Sequence, residues 1–347
     1  MDIGLAFFSS DCNRRDPFEL FIKASVIADQ LGLSSIWIPE RHFHKFGGAF
    51  PCPAVAAGAL ASCTHRIDIR AGSIVSPLHD SIEIAEQWGM VHALSHGRVG
   101  ISFASGWKEQ DFVMQPQSYP KRREKMWEQV KEVQALWRGQ SVNRSGPDGV
   151  LTSVCIYPKI SLPLPNIWIT TTGAPDTIRR AGKAGLGLFT HLVSQSLSEL
   201  EKTISIYRKA LPNGVSGHVA LMIHTFMADT DEQARAKVQD PLKSYLRQFI
   251  DLTSEPTSKV DKSEIDKRLE FGVSRYLRSH SLIGSYQTCR SMLEKLETIG
   301  VDEVACLTDF GLDDQSVLQS VERLGVLCDR EGSIAKSDGF CDHKFMI

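Results

Sequence analysis

The chain of 347 residues reads as an α/β protein, a (β/α)8 TIM barrel with a helical insertion after strand 7 and a small insertion before strand 5. Three observations predict this fold. Short apolar runs alternate with helical patterns from one end of the chain to the other. Eight such strand-plus-helix units can be drawn, the number that closes a parallel barrel through right-handed crossovers. The first strand runs into Ser9-Ser10-Asp11-Cys12, not the GxGxxG turn that announces the open, doubly wound alternative.

Asp2 to Phe8 is an apolar strand, and Pro17 to Leu31 places Phe18, Phe21, Ile22, Val26 and Leu31 at helical spacing before the terminating Gly32. Ser35 to Ile38 is the second strand and Pro53 to Cys63 an Ala-rich second helix. Strand three is Arg66 to Val75 with helix Ser81 to Leu94, and strand four is Arg98 to Ala104 with helix Tyr119 to Trp137. The fifth unit is Ile167 to Thr171 with Thr177 to Ala184, the sixth Gly187 to His191 with Ser198 to Ala210. Strand seven, Gly217 to Phe226, precedes a long charged stretch; strand eight, Glu303 to Leu307, leads into helix Gln315 to Leu327. The Gly-, Pro- and Ser-rich stretch 139–165 reads as a hairpin-like excursion. The stretch 229–281 is too long for a barrel loop, carries helical patterns at Asp231 to Leu252 and Ile265 to Leu277, and is expected to be a lid. Residues 1–328 are thus expected to form a single barrel domain, with a polar tail, 329–347, assigned no fold.

Composition narrows the function. With 39 Lys+Arg against 41 Asp+Glu the formal charge is −2, which argues against nucleic acid as a partner. No apolar run reaches the roughly 18 residues that span a bilayer, and the beginning lacks a signal-peptide core, so no membrane association and a cytoplasmic location are expected. The 8 cysteines are scattered without a CxxC pair and read as reduced thiols, mostly buried.

In a barrel, chemistry is carried by residues just past the C-terminal ends of the strands. In the fifth loop, Gly173 and Ala174 allow close backbone approach while Asp176 and Thr177 open a helix, whose N-terminal N–H groups suit a phosphate. The same loop also admits a plain reading in which Thr172 or Asp176 caps that helix. The second loop gathers Arg41, His42 and His44 beside Gly47 and Gly48; histidine suits proton transfer near neutral pH and arginine suits a developing anion. His42 and His44, at i and i+2 on extended backbone, could instead share a cation with His191, His224 and Asp309, as in a metal-dependent barrel hydrolase, although His224 falls well inside its predicted strand.

Taken together, the segments 37–44 (WIPERHFH), 70–79 (RAGSIVSPLH), 95–107 (SHGRVGISFASGW), 171–177 (TTGAPDT), 281–285 (SLIGS) and 300–311 (GVDEVACLTDFG) resemble the bacterial luciferase-like flavin-dependent monooxygenases, especially the branch found in natural-product biosynthesis. The resemblance implies a barrel that takes reduced FMN from a separate flavin reductase and uses O2, through a C4a-peroxyflavin, to oxygenate a small or carrier-protein-tethered substrate. It further implies a homodimer. Carried over by position, Gly173, Ala174, Asp176 and Thr177 would cradle the FMN phosphate, with Ser105 and Gly106 beside it, and Gly72-Ser73 would hold a non-proline cis peptide under the isoalloxazine ring. His44, Trp107, His191 and Asp309 would face the substrate, and no metal is implied.

Two positions depart from the luciferase pattern. Arg41 stands where the first of a histidine pair is found, which excludes general-base work there and leaves anion or peroxide stabilisation, with His42 for positioning or proton transfer. Ser105 replaces a phosphate-contacting arginine, so backbone N–H groups would carry more of the phosphate. Related barrels bind the deazaflavin F420 and move hydride without O2, and a barrel of this kind can also serve as a partner subunit. Both remain alternatives to the FMN reading.

Overall fold

A computed structural model describes residues 1–8, 16–161, 163–193, 195–253 and 262–328. In chain order the elements are β1 (Asp2–Ala6), α1 (Pro17–Gln30), β2 (Ser35–Ile38), α2 (Pro53–Cys63), β3 (Asp68–Val75), α3 (Ser81–Leu94), β4 (Val99–Ala104), α4 (Arg122–Trp137), β5 (Val142–Ser145) and β6 (Leu151–Val154). Then follow β7 (Asn166–Thr170), α5 (Pro175–Lys183), β8 (Gly187–His191), α6 (Leu197–Ala210), β9 (Val219–Met227), α7 (Asp231–Thr253), α8 (Lys262–Ser279), β10 (Leu282–Gly284), α9 (Tyr286–Ile299), β11 (Glu303–Leu307) and α10 (Asp314–Cys328). Strands β1, β2, β3, β4, β7, β8, β9 and β11 pair in parallel around a closed ring, β9 bonding both β8 and β11 and β11 returning to β1. This is the (β/α)8 barrel that the alternating pattern predicts.

Both insertions form elements of their own. The stretch before β7 holds the antiparallel pair β5 and β6, and the one after β9 holds α7 and α8. The sequence reading assigned no element to residues 286–299, yet they form α9. Its buried residues Cys289, Met292, Leu293 and Leu296 follow helical spacing, Ser285 Oγ accepts from Thr288 N, and Gly300 ends it at φ +100°. The seventh unit therefore runs from β9 through the insertion and β10 to α9. Among the described residues, only Cys289 and Cys306 are buried while Cys52, Cys63, Cys155 and Cys328 are half-buried, so the thiols are less enclosed than expected. Cys12, Cys341 and the tail 329–347 lie outside the described residues.

The two ends of the barrel are built differently. At the N-terminal end the Glu303 carboxylate, fully buried, accepts from Trp37 Nε1 at 2.9 Å, from Ser35 Oγ and from Arg70 Nη1. The Arg70 guanidinium lies 5.1 Å from the Trp37 ring centroid and 4.8 Å from that of Trp168, and Arg70 Nη2 donates to Asp68 at 2.8 Å. Burial alone would raise the Glu303 pKa; the charge of Arg70 and the donors around the carboxylate outweigh it and hold the group ionised. Trp37 stacks on Phe189 with centroids 4.4 Å apart and continues this plug into the aliphatic core. A plugged lower end leaves the C-terminal mouth as the place where loops converge.

Candidate active site

The mouth is organised around one carboxylate that does no obvious chemistry itself. Glu40 follows β2 and accepts from His42 Nε2 at 2.8 Å, His79 Nε2 at 2.7 Å and the backbone N–H of Val75 at 2.7 Å. Burial would raise its pKa, but the hydrogen bonds from His42 and His79, the His79 charge and the Val75 N–H hold it down at about 2. One ionised group thereby fixes the second and third loops relative to each other. His79 gains from the same bond, its pKa being raised against the opposing effect of burial.

Arg41 is buried beside this clamp. Its backbone N–H donates to Phe50 O at 3.0 Å, and its guanidinium carbon lies 5.3 Å from the ring centroid of the exposed Trp107. Its Nε and Nη2 are buried and have no hydrogen-bond partner. Burial lowers its pKa, with Asp111 and Tyr245 acting in the other direction.

Across the mouth an aromatic cluster ties the insertion to the barrel. Tyr245 of α7 lies 4.8 Å from Phe46, 5.8 Å from Phe8 and 4.4 Å from the His224 ring, centroid to centroid. His224 Nδ1 and the Tyr276 hydroxyl of α8 are 2.7 Å apart, whereas His224 Nε2 is buried without a partner. Lys108 Nζ of the fourth loop donates to Leu252 O at 3.3 Å, a second tie to α7. His224 had been placed well inside its strand from the sequence. In register it stands level with Leu307, the last residue of β11, and so reaches the mouth.

Burial pushes His224 down to about 3, helped by His191, and pushes His191 down to about 4. A histidine whose folded pKa lies below its unfolded value near 6.5 leaves stability intact above that value and withdraws it as pH falls toward the folded pKa, because the unfolded chain protonates first. His224 alone should therefore cost about 3 kcal/mol between pH 7 and pH 4. Glu40 remains ionised through that window and loses its contribution only from about pH 4.5 down to about 2. Denaturant midpoints at pH 7 and pH 4 should show the loss, and His224→Phe should flatten it; an unchanged slope in that variant would assign the effect elsewhere.

The fifth loop fits an anionic group. Helix α5 begins after Ala174 with no side-chain cap, so neither Thr172 nor Asp176 fills the capping role, and Asp176 instead pairs with Arg179 at 2.6 Å on the exposed face. Gly173 has φ +113°, its N–H donates to Thr171 Oγ1 at 3.2 Å, and a Cβ there would meet nothing within 4 Å. An open approach to uncapped first-turn N–H groups is what a phosphate requires. Nearby, Thr170 Oγ1 lies 2.5 Å from Ser73 Oγ and 2.6 Å from Ser102 Oγ, and the Gly72–Ser73 peptide bond is cis.

The remaining residues singled out from the sequence are placed as follows. Ser105 is half-buried. Gly106, at φ +76°, is required by packing, since a Cβ would come within 2.9 Å of Val75 and Phe112, and Arg122 Nε anchors its carbonyl at 3.2 Å. Thr177 is half-buried in the first turn of α5. Asp309 is buried and accepts from Phe8 N at 2.8 Å, and His191 Nδ1 accepts from Val193 N at 3.2 Å. His44 is exposed, its Nδ1 taking the Phe46 N–H at 3.1 Å, while His42 is held by Glu40, so the two imidazoles serve different partners. Among the described residues no three His, Cys, Asp or Glu side chains gather in a set able to hold a metal ion. Sequence reasoning gave no role to Glu40, His79, Tyr245 or Tyr276. For Glu40 and His79 the signal was their position after two adjacent strands; Tyr245 and Tyr276 gave none, because nothing in a helical pattern says which face meets the mouth.

Among the described residues, cavities occur both beside this arrangement and at the far end of the barrel. One of about 380 Å³ lies between Gln195 and Ser196 after β8 and Leu246, Phe249 and Tyr276 of the insertion. Another of about 630 Å³ opens at the opposite, N-terminal end, lined by Asp2, Arg138, Trp168 and His218 among others, and contains none of the site residues predicted from the sequence.

An anion-ready helix start at the C-terminal mouth recurs among barrel enzymes, and comparison with known proteins narrows the field. The chain belongs to the luciferase-like monooxygenase family, whose profile matches residues 7–303. It is 22% identical over 327 residues, covering 91% of this chain and 90% of the relative, to the oxygenase component of a flavin-dependent trigonelline monooxygenase from Acinetobacter baylyi. It is 28% identical over 174 residues, 48% of this chain and 51% of the relative, to an F420-dependent glucose-6-phosphate dehydrogenase of Amycolatopsis mediterranei. Among solved structures it is similar to the oxygenating constituent of 3,6-diketocamphane monooxygenase from Pseudomonas putida in complex with FMN, with TM-score 0.76 and 18% identity over 94% of this chain and 96% of the other. Family membership makes the protein an oxidoreductase and sets aside the metal-dependent hydrolase.

Proposed function

We propose that this barrel is the oxygenase component of a two-component flavin monooxygenase, receiving reduced FMN from a separate reductase and consuming O2. The observation that carries the reading is the uncapped start of α5 behind the open Gly173, in the same mouth as the buried, unpaired Arg41. The relative matched over nine-tenths of both chains is a flavin monooxygenase component, which supports FMN; the F420-dependent relative, matched over about half, supports the second reading.

Bound reduced FMN supplies the two electrons that let one oxygen atom enter the substrate while the other leaves as water. The protein does the rest. Backbone N–H groups at Ala174, Asp176 and Thr177 would bind the phosphate, with the open Gly173 leaving room for it and Ser105 beside them, and Gly72-Ser73, whose hydroxyl is tied to Thr170, would lie under the ring. Arg41 holds negative charge in the mouth, and His42, oriented by Glu40, positions or passes a proton. Tyr245 and Tyr276 close the far side and exclude water. Trp107, His191, His44 and Asp309 would face a small or carrier-tethered substrate, consistent with a biosynthetic role in the cytoplasm. We further propose that residues 1–328 act as one barrel unit. The exposed Val55 of α2 with Met90 and Leu94 of α3 would pair two copies in a homodimer.

Anaerobic titration with photoreduced FMN and, in parallel, reduced F420 tests the cofactor assignment. Binding of FMN about tenfold tighter or better is the expected result; a preference for F420 would move the protein to hydride transfer.

A further inference from the structure

We infer that the substrate of this site carries a carboxylate, seated in a two-bond contact on the Nε–Nη2 edge of Arg41. The inference rests on the reading of the mouth as the oxygenase site. Nε and Nη2 are the two guanidinium nitrogens whose N–H bonds run side by side on one edge of the group, and in Arg41 both are buried with no partner. An unpaired buried donor pair is costly, and it persists where a ligand supplies the missing acceptors. Parallel donors at that spacing match the two oxygens of a planar carboxylate, with charge on both sides of the contact.

The protein's own carboxylates are committed elsewhere. Glu40, next in the chain, is taken up by His42, His79 and Val75. Asp309 accepts from Phe8 N. Asp111 is close enough to act on Arg41 through charge but makes no ion pair with it among the described residues. A further polar atom of the mouth has nothing to bind: His224 Nε2 is buried without a partner. The surrounding rings of Trp107, Phe46 and Tyr245 would take the body of a small, flat acid.

The test uses the full chain without flavin. Formate, benzoate and nicotinate are titrated calorimetrically beside benzamide and nicotinamide, which keep the ring and lose the charge. Carboxylates should bind about tenfold or more tightly than their amides. Arg41→Gln should erase that preference, and Arg41→Lys, which keeps the charge but not the donor edge, should restore only part of it. Equal binding of acids and amides, or a preference that survives Arg41→Gln, would overturn the inference. Reduced FMN is titrated into the same preparations, where normal binding certifies the fold of each variant. If reduced FMN binds and carboxylates show no preference, this inference fails and the oxygenase reading stands; if carboxylates bind through Arg41 and reduced FMN does not bind, the carboxylate site stands and the oxygenase reading fails.

Discussion

Arg41→Ala should lower kcat/KM about 100-fold or more while leaving the affinity for reduced FMN within about twofold. The asymmetry follows from position. Arg41 lies on the second loop beneath Trp107, with the Glu40 clamp beside it. The phosphate cradle is built on the fifth loop from Gly173 and the start of α5. Removing the guanidinium takes away the buried cation and leaves those backbone N–H groups untouched. Substrate-dependent O2 uptake in the presence of a flavin reductase measures the first quantity, and anaerobic titration the second. Full turnover in the variant would show that Arg41 neither holds substrate nor stabilises charge.

Glu303→Ala should destabilise the folded barrel by about 3 to 5 kcal/mol without altering the mouth. The carboxylate is fully buried and is the acceptor shared by Arg70, Trp37 and Ser35. Without it, Arg70 would keep its charge between the Trp37 and Trp168 rings with only the half-exposed Asp68 as counterion. An uncompensated buried charge is far more expensive than the net worth of the pair, which is why breaking one side costs more than replacing both. A denaturant unfolding curve measures the loss. A change below about 1 kcal/mol would mean that solvent reaches Arg70 through the cavity at the N-terminal end that Arg70 helps to line.

The barrel was legible because its strands and helices obey two different periods over their full lengths. Ser35–Ile38, Pro53–Cys63, Ser81–Leu94, Gly187–His191 and Glu303–Leu307 run between the same residues in the structure as in the sequence reading. Helix α9 escaped because it follows an insertion whose charge density hides the apolar stripe of Cys289, Met292 and Leu296. The loops that converge on the mouth were also legible, since strand ends point to them directly. What the sequence did not carry is the pairing within the mouth. Glu40 bonds His42 two residues away but also His79, whose proximity depends on β2 and β3 lying side by side. His224 reaches the mouth because β9 runs past the end of β11, a matter of register that no local pattern encodes. Tyr245 arrives from α7, 18 residues after the end of β9 at Met227, and its place over Phe46 is set by how the insertion folds back.

The most direct test of the central claim is a crystal structure of the protein soaked with FMN under reducing conditions. The account predicts phosphate density at the start of α5 beside Gly173, with the ring system in the mouth over Gly72–Ser73 and facing Arg41. Flavin bound instead in the cavity lined by Asp2, Arg138 and His218, or in the mouth with its phosphate away from α5, would contradict it.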